Sequence, residues 1–125
     1  VMAGLSCGEA SATGWQILRD YSDAFASCPD YVAARGMRML AAPLPGDASV
    51  VSGESGAVTL GLLSLLMQSP ALASERAALG LDASSRVLVL STEGDTDPQS
   101  YRRIVWDGAI ATPASVMTGM GSAKA

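Results

Sequence analysis

The sequence predicts an α/β chain with helices flanking a parallel sheet, and three observations predict it. Two short apolar runs, Ser49-Val50-Val51-Ser52 and Arg86–Leu90 (RVLVL), are rich in β-branched residues or Leu and end in polar, glycine-bearing loops, the pattern of fully buried strands. Segments with helical apolar spacing or helix start and stop signals lie between and around them. The 125 residues are 49% hydrophobic and 16% charged, enough apolar side chain to build one domain or one part of a larger one.

Taken in order, Val1–Leu5 reads as the end of a buried strand or a loop. It has no initiator Met and no polar lead-in, which points to a chain that continues upstream. Trp15, Leu18, Tyr21 and Phe25 recur every three or four residues, predicting a helix over Thr13–Ala26 with Thr13 as its cap. Cys28-Pro29-Asp30 breaks that helix, because proline disfavours helical backbone at the residue before it, and starts the next, Pro29–Ala41. In that second helix Val32, Met37 and Leu40 are expected inward and Arg35 and Arg38 outward. Pro43–Asp47 is a turn by composition. After the first apolar run, Gly53-Glu54-Ser55-Gly56 leads into Ala57–Gln68, a helix apolar on nearly every side and so expected to be buried against the sheet. Ser69-Pro70 opens a short helix over Ala71–Leu79, which Gly80 stops at the left-handed cap position. The second apolar run gives way to the polar loop Ser91–Pro98, and Tyr101–Trp106 reads as a last helical turn. Beyond Gly108 no periodicity remains, and residues 109–125 read as a low-complexity tail, disordered by composition.

Charge and composition exclude several functions. The net charge is −4 with no basic run, against nucleic acid as the main partner, since neutralising phosphates needs clustered Lys and Arg. With no histidine, His-based catalysis and most metal sites are absent from this chain. Cys7 and Cys28 read as reduced thiols of a cytoplasmic protein, with a disulfide as the alternative. No signal peptide is visible, and the longest apolar stretch, Ala57–Met67, is too short to span a bilayer.

Two loops at strand ends are the candidate sites, because ligands in open α/β sheets bind at the carboxyl ends of strands. Gly53-Glu54-Ser55-Gly56 joins a strand to a helix N-terminus and suits an anion. Alone, such a stretch is more often a plain turn with Ser55 or Glu54 capping the helix, and it lacks the pattern of a nucleotide-binding loop. In the second loop the Ser91 and Thr92 hydroxyls follow a buried strand directly, placed either to bind a ligand or to satisfy loop backbone. Glu93, Asp95 and Asp97 alternate like hard-cation ligands but lack the glycine and distal glutamate of a calcium loop.

Four ordered stretches resemble diaminopropionate ammonia-lyases: MAGLSCGE (Met2–Glu9), SCPDYVAARGMRML (Ser27–Leu40), VSGESGA (Val51–Ala57) and STEGDTDPQSYRRIVWDG (Ser91–Gly108). The last is long and unusual in composition, hence the most specific. The resemblance implies the pyridoxal-phosphate (PLP) dependent fold of tryptophan synthase β-subunits and serine/threonine dehydratases, with residues 1–108 forming the C-terminal portion of its cofactor-binding large domain. It implies an enzyme that eliminates ammonia from 2,3-diaminopropionate to give pyruvate and ammonia. In that wider group an acidic residue followed by Gly-Ala enters a helix beside the cofactor, matched here by Glu54, Gly56 and Ala57. A hydroxyl or thiol residue at a strand end bonds the pyridine nitrogen, matched by Ser91 with Thr92 as competitor. The catalytic acids, the Schiff-base lysine and the glycine-rich phosphate loop are implied to lie upstream of Val1. Lys124, the only lysine, sits in a stretch that does not match the family's ending. Half of such a fold leaves apolar faces of its sheet uncovered, so a homodimer, association with the N-terminal part of the enzyme, or poor solubility is expected. A related serine or threonine dehydratase and a non-catalytic interaction module keeping half of the fold are the competing readings.

Overall fold

The computed structural model describes residues 8–118. Its elements are α1 (Ala12–Tyr21), α2 (Asp30–Ala41), α3 (Glu54–Gln68), a 3₁₀ turn (Pro70–Leu72), α4 (Ala73–Ala78), α5 (Pro98–Val105) and α6 (Ala114–Thr118). The reading of Val1–Leu5 and the thiol of Cys7 lie outside the described residues.

The centre of the fold is the α2–α3 pair. A Cβ at Gly36 would lie 2.0 Å from the carbonyl oxygen of Ala57, and one at Gly61 would lie 1.9 Å from that of Val32. The two backbones therefore touch through a reciprocal pair of glycines, closer than helices bearing side chains at the crossing, which sit about 8–10 Å apart axis to axis. Around this contact Ala34, Met37 and Ala57 are buried with Ile104 of α5, and Leu40, Tyr101, Val105 and Ile110 pack against them. Val32, Leu65 and Leu66 are buried on the same pair.

Local rules account for the helix ends. Ser11, not Thr13, caps α1, its hydroxyl accepting from the amide of Gly14 at 3.2 Å. The helix ends five residues before the predicted Ala26, at Tyr21. Its apolar stripe is present but buries nothing: Trp15 and Phe25 stack on each other, centroids 6.2 Å apart, and both remain more than 45% exposed. Pro29 breaks no helix, since α1 has already ended at Tyr21; it takes the cap position of α2 in extended conformation, one residue before the helix begins at Asp30. Gly80 adopts φ +64°, the left-handed conformation expected of it.

Arg38 does not face outward as predicted. One of its guanidinium nitrogens, Nη1, donates to the carbonyls of Ile104 and Ala109 at 3.0 Å each, and Nη2 donates to that of Ile110 at 3.2 Å. It thereby holds the C-terminal end of α5 and the turn that follows, where Gly108 and Ile110 have φ of +75° and +57°. Arg35 likewise turns to α3, donating from Nε to Ser64 Oγ at 2.6 Å and from Nη2 to Gln68 Oε1 at 2.8 Å. Burial lowers the pKa of Arg38, aided by the nearby charge of Arg35.

The predicted parallel sheet is the main difference. Among the described residues no strand is assigned. Residues 49–52 and 86–90 run without helix, but ladder pairing needs a neighbouring strand, and among the described residues none is assigned beside them. Instead of being buried, Val87, Leu88, Val89 and Leu90 are 47%, 85%, 36% and 66% exposed. Helix α3 is buried on one side only. Its Leu60, Leu62, Leu63, Leu66 and Met67 border three open apolar grooves of about 290–390 Å³ each. Within residues 109–118, α6 docks by accepting at the carbonyl of Val116 from the buried hydroxyl of Ser69. No single described helix is long and apolar enough to cross a membrane, although the bent pair Glu54–Gln68 and Pro70–Ala78 reaches that length and composition together.

Candidate functional site

The two predicted loops meet. The apolar run ending in Ser52 and the one ending at Leu90 bring Ser52 and Ser91 side by side, and the Ser91 hydroxyl donates to Ser52 Oγ at 2.8 Å. Ser52 is fully buried and passes its own hydrogen to the carbonyl of Gly53 at 3.2 Å. The result is a short relay of hydroxyls from an exposed Ser91 to an enclosed Ser52.

Gly56, in the first turn of α3, lies against this pair. A Cβ there would stand 2.7 Å from Ser52 Oγ, 2.9 Å from Ser91 Oγ and 2.9 Å from the amide nitrogen of Thr92. Only glycine lets the helix come this near the two hydroxyls. Thr92 therefore approaches the site through its backbone, and its side chain is exposed. Glu54 opens α3 two residues before Gly56. Among the described residues no side-chain hydrogen bond joins Glu54 to Ser91 or Thr92.

The N-terminus of α3 is not open to an anion. Its cap, Gly53, has no side chain to offer, and the carboxylate of Glu93 takes that role from the other loop, accepting from the Ser55 amide at 2.8 Å. The Glu93 carbonyl also accepts from the Gly53 amide at 3.0 Å. A negative group at the positive end of a helix is stabilising, so the turn is capped by neither of the residues expected to cap it, Ser55 and Glu54. The Ser55 hydroxyl oxygen is instead buried without a hydrogen-bond partner. Asp97, the third member of the acidic alternation, caps α5 by accepting from the Ser100 amide at 3.1 Å. Two of the three carboxylates are thus committed to helix ends.

Ser91, the backbone of Thr92 and the Gly53–Gly56 turn, all singled out in the sequence, lie together in the fold. Sequence reasoning missed Ser52, Ser55 and Glu93 as parts of one site. A signal for Ser52 was available: it follows Val50-Val51 as Ser91 follows the RVLVL run, so both hydroxyls sit at the same relative place.

Neutral hydroxyls, a glycine-lined approach and one unpartnered buried hydroxyl suit a flat, uncharged or weakly basic heteroaromatic group. They offer no cationic side chain to a phosphate. The pyridine side of PLP fits this donor set. Its phosphate does not fit here.

No protein-family model matches the chain. Over 111 residues it is 50% identical to diaminopropionate ammonia-lyase of Escherichia coli strain K12, covering 89% of the chain and 28% of that protein. Against the Salmonella typhimurium enzyme of the same name it is 50% identical over 112 residues, with the same coverage. The fold superposes on the E. coli enzyme in complex with an aminoacrylate-PLP azomethine reaction intermediate with a TM-score of 0.84 at 50% identity, covering 89% of this chain and 29% of that one. The E. coli enzyme in complex with D-serine gives a TM-score of 0.83 at 50% identity, with coverage of 89% and 28%. The chain thus spans little more than a quarter of the relatives it matches, and in sequence and fold it corresponds to a portion of diaminopropionate ammonia-lyase.

Proposed function

We propose that this chain is the C-terminal portion of a PLP-dependent lyase that eliminates ammonia from 2,3-diaminopropionate, giving pyruvate and ammonia. The observation that carries the proposal is the Ser91–Ser52 hydroxyl pair held against Gly56 at the ends of two extended apolar runs. Half of the matched residues being identical to those of the E. coli enzyme supports the same substrate.

In this reading Ser91 faces the pyridine nitrogen, with Thr92 beside it and Glu54 at the helix entrance. When bound, the cofactor supplies an electron sink for the carbanion formed at the substrate α-carbon. The chain supplies the setting. Ser91 can turn its hydrogen from Ser52 to a ring nitrogen without leaving an orphan, because Ser52 keeps its own bond to Gly53. A hydroxyl partner, unlike a carboxylate, does not favour a protonated pyridine, which suits elimination over transamination. The residues that take and give protons belong to the rest of the polypeptide, as does the Schiff-base lysine. Residues 49–52 and 86–90 become strands of a parallel sheet completed by that remainder, which also covers the grooves along α3.

The test is to express the intact polypeptide, reconstitute it with PLP, and record both the visible absorbance of the bound cofactor and pyruvate release. Diaminopropionate should be the best substrate, ahead of serine and threonine. A protein that takes up no PLP sinks the proposal, and one that prefers serine or threonine makes it a dehydratase. Ser91→Ala should shift the cofactor's absorbance and fluorescence more than Thr92→Ala does.

A further inference from the structure

We propose that Glu93 is the positioning residue of this site, a strut that sets the Ser91–Ser52 pair against α3; the inference rests on the cofactor reading above. Three observations converge on it. Its carboxylate accepts from the Ser55 amide at 2.8 Å while its carbonyl accepts from the Gly53 amide at 3.0 Å, so one residue of the second loop holds two amides of the first, on either side of Glu54. Gly53 is shaped to this stretch of the loop, since a Cβ there would lie 2.6 Å from the Gly94 carbonyl oxygen, 2.7 Å from Glu93 Cγ and 2.8 Å from its Cδ. Ser91, two residues before Glu93, is the hydroxyl that reaches Ser52.

These contacts do different work. The backbone bond would survive most substitutions and fixes only the loop's approach. The carboxylate bond fixes its depth along the helix axis, and with it how far Ser91 stands from Gly56. Among the described residues no other hydrogen bond from a side chain of the Ser91–Pro98 loop reaches the N-terminus of α3. Remove the carboxylate and the amide of Ser55 loses its acceptor, α3 loses a charge at its positive end, and Ser91 is free to slide from Ser52. Glu93 touches no reacting atom. It acts through where Ser91 sits.

The test compares Glu93→Ala and Glu93→Gln in the intact holoenzyme. Glutamine keeps a carbonyl oxygen for the Ser55 amide and loses only the charge. Glu93→Ala should weaken PLP binding roughly 10- to 100-fold, the loss expected of one charged hydrogen bond, and shift the absorbance and fluorescence of the cofactor that still binds. Glu93→Gln should stay within about fivefold of the parent, with the parent's spectrum. Amide hydrogen exchange in residues 53–57 of the cofactor-free protein should rise in the alanine variant and not in the glutamine one. An alanine variant that binds PLP with parental affinity and spectrum overturns the inference, as does a glutamine variant as impaired as the alanine one. If the unsubstituted protein binds no PLP, the cofactor reading fails, and the role of Glu93 toward that cofactor fails with it.

Discussion

At the scale of single residues, glycine decides where this chain can come close to itself. Gly36 and Gly61 carry the tightest case. Gly36→Ala places a methyl group 2.0 Å from the Ala57 carbonyl oxygen, which is backbone and cannot rotate away. The helices must separate, opening the layer of Ala34, Met37 and Ile104 beside them. We expect a loss of about 2–4 kcal/mol, in the upper range for overpacking of a core, read from chemical denaturation. Gly14→Ala is the matching control. There a Cβ meets Ser11 at 3.4 Å, ordinary contact, and alanine should be neutral or slightly stabilising by helix propensity. Equal losses from the two substitutions would refute the crossing as the cause.

At the scale of elements, the start of α3 and the end of α5 hang on side chains distant in sequence, Glu93 and Arg38. Arg38 on α2 holds three carbonyls at and beyond the end of α5. Lysine in its place keeps the charge but not the fork of donors. Arg38→Lys should therefore forfeit most of what Arg38→Ala forfeits, roughly 2–3 kcal/mol, with hydrogen exchange rising in residues 104–110. A lysine variant as stable as the parent would show that charge alone suffices. The turn after α4 offers a pH test. Asp82 accepts from the amide and hydroxyl of Ser84 at 2.8 and 2.7 Å, and these bonds lower its pKa from the usual 3.8. A carboxyl whose pKa is depressed by folding adds stability above its unfolded value and loses it as the pH falls through the folded one. Below about pH 4 this turn should loosen, and Asp82→Asn should flatten the acid limb of the stability profile.

The elements also show what the sequence could reveal. Proline, glycine and apolar spacing announced α2 and α3 to within a few residues, because those signals act within one or two turns of backbone. The end of α1 was misplaced, since Phe25 continues the apolar spacing yet stacks on Trp15 from beyond the helix. The runs Ser49–Ser52 and Arg86–Leu90 were legible as apolar segments but not as paired strands. Pairing is a property of neighbours, and no strand is assigned among the described residues. The site divides in the same way. Ser91 and Thr92 stood out by following an apolar run, whereas Glu93 looked like one of three alternating acids. Its real partner is 38 residues away, and only the tertiary fold brings Ser55 to it.

At the scale of the whole molecule, apolar surface is the leading fact. Val87–Leu90 presents four apolar side chains in succession, each between 36% and 85% exposed, and open grooves flank α3. A continuous apolar run of this kind is an adhesive edge for another chain. Expressed alone, the 125-residue chain should bind a hydrophobic dye and associate as its concentration rises. Leu88→Lys with Leu90→Lys should suppress both without lowering the helix content seen by circular dichroism. In the intact polypeptide the same double substitution should instead prevent folding. A chain that stays monomeric and dye-free without the lysines would mean that the run is already covered.

The reciprocal glycine contact between α2 and α3 has a mechanical consequence. Where helices meet through side chains, the gap between them can be tuned one methylene at a time. Here there is no side chain to trim or extend, so the spacing is fixed by peptide groups alone. The pair should therefore act as a stiff lever: Arg38 grips the end of α5 at one point along it, and Gly56 bears on the hydroxyl pair at another. A shift in the turn at Ala109–Ile110 would then reach Ser52 and Ser91 as a rigid tilt, with no soft layer between to absorb it.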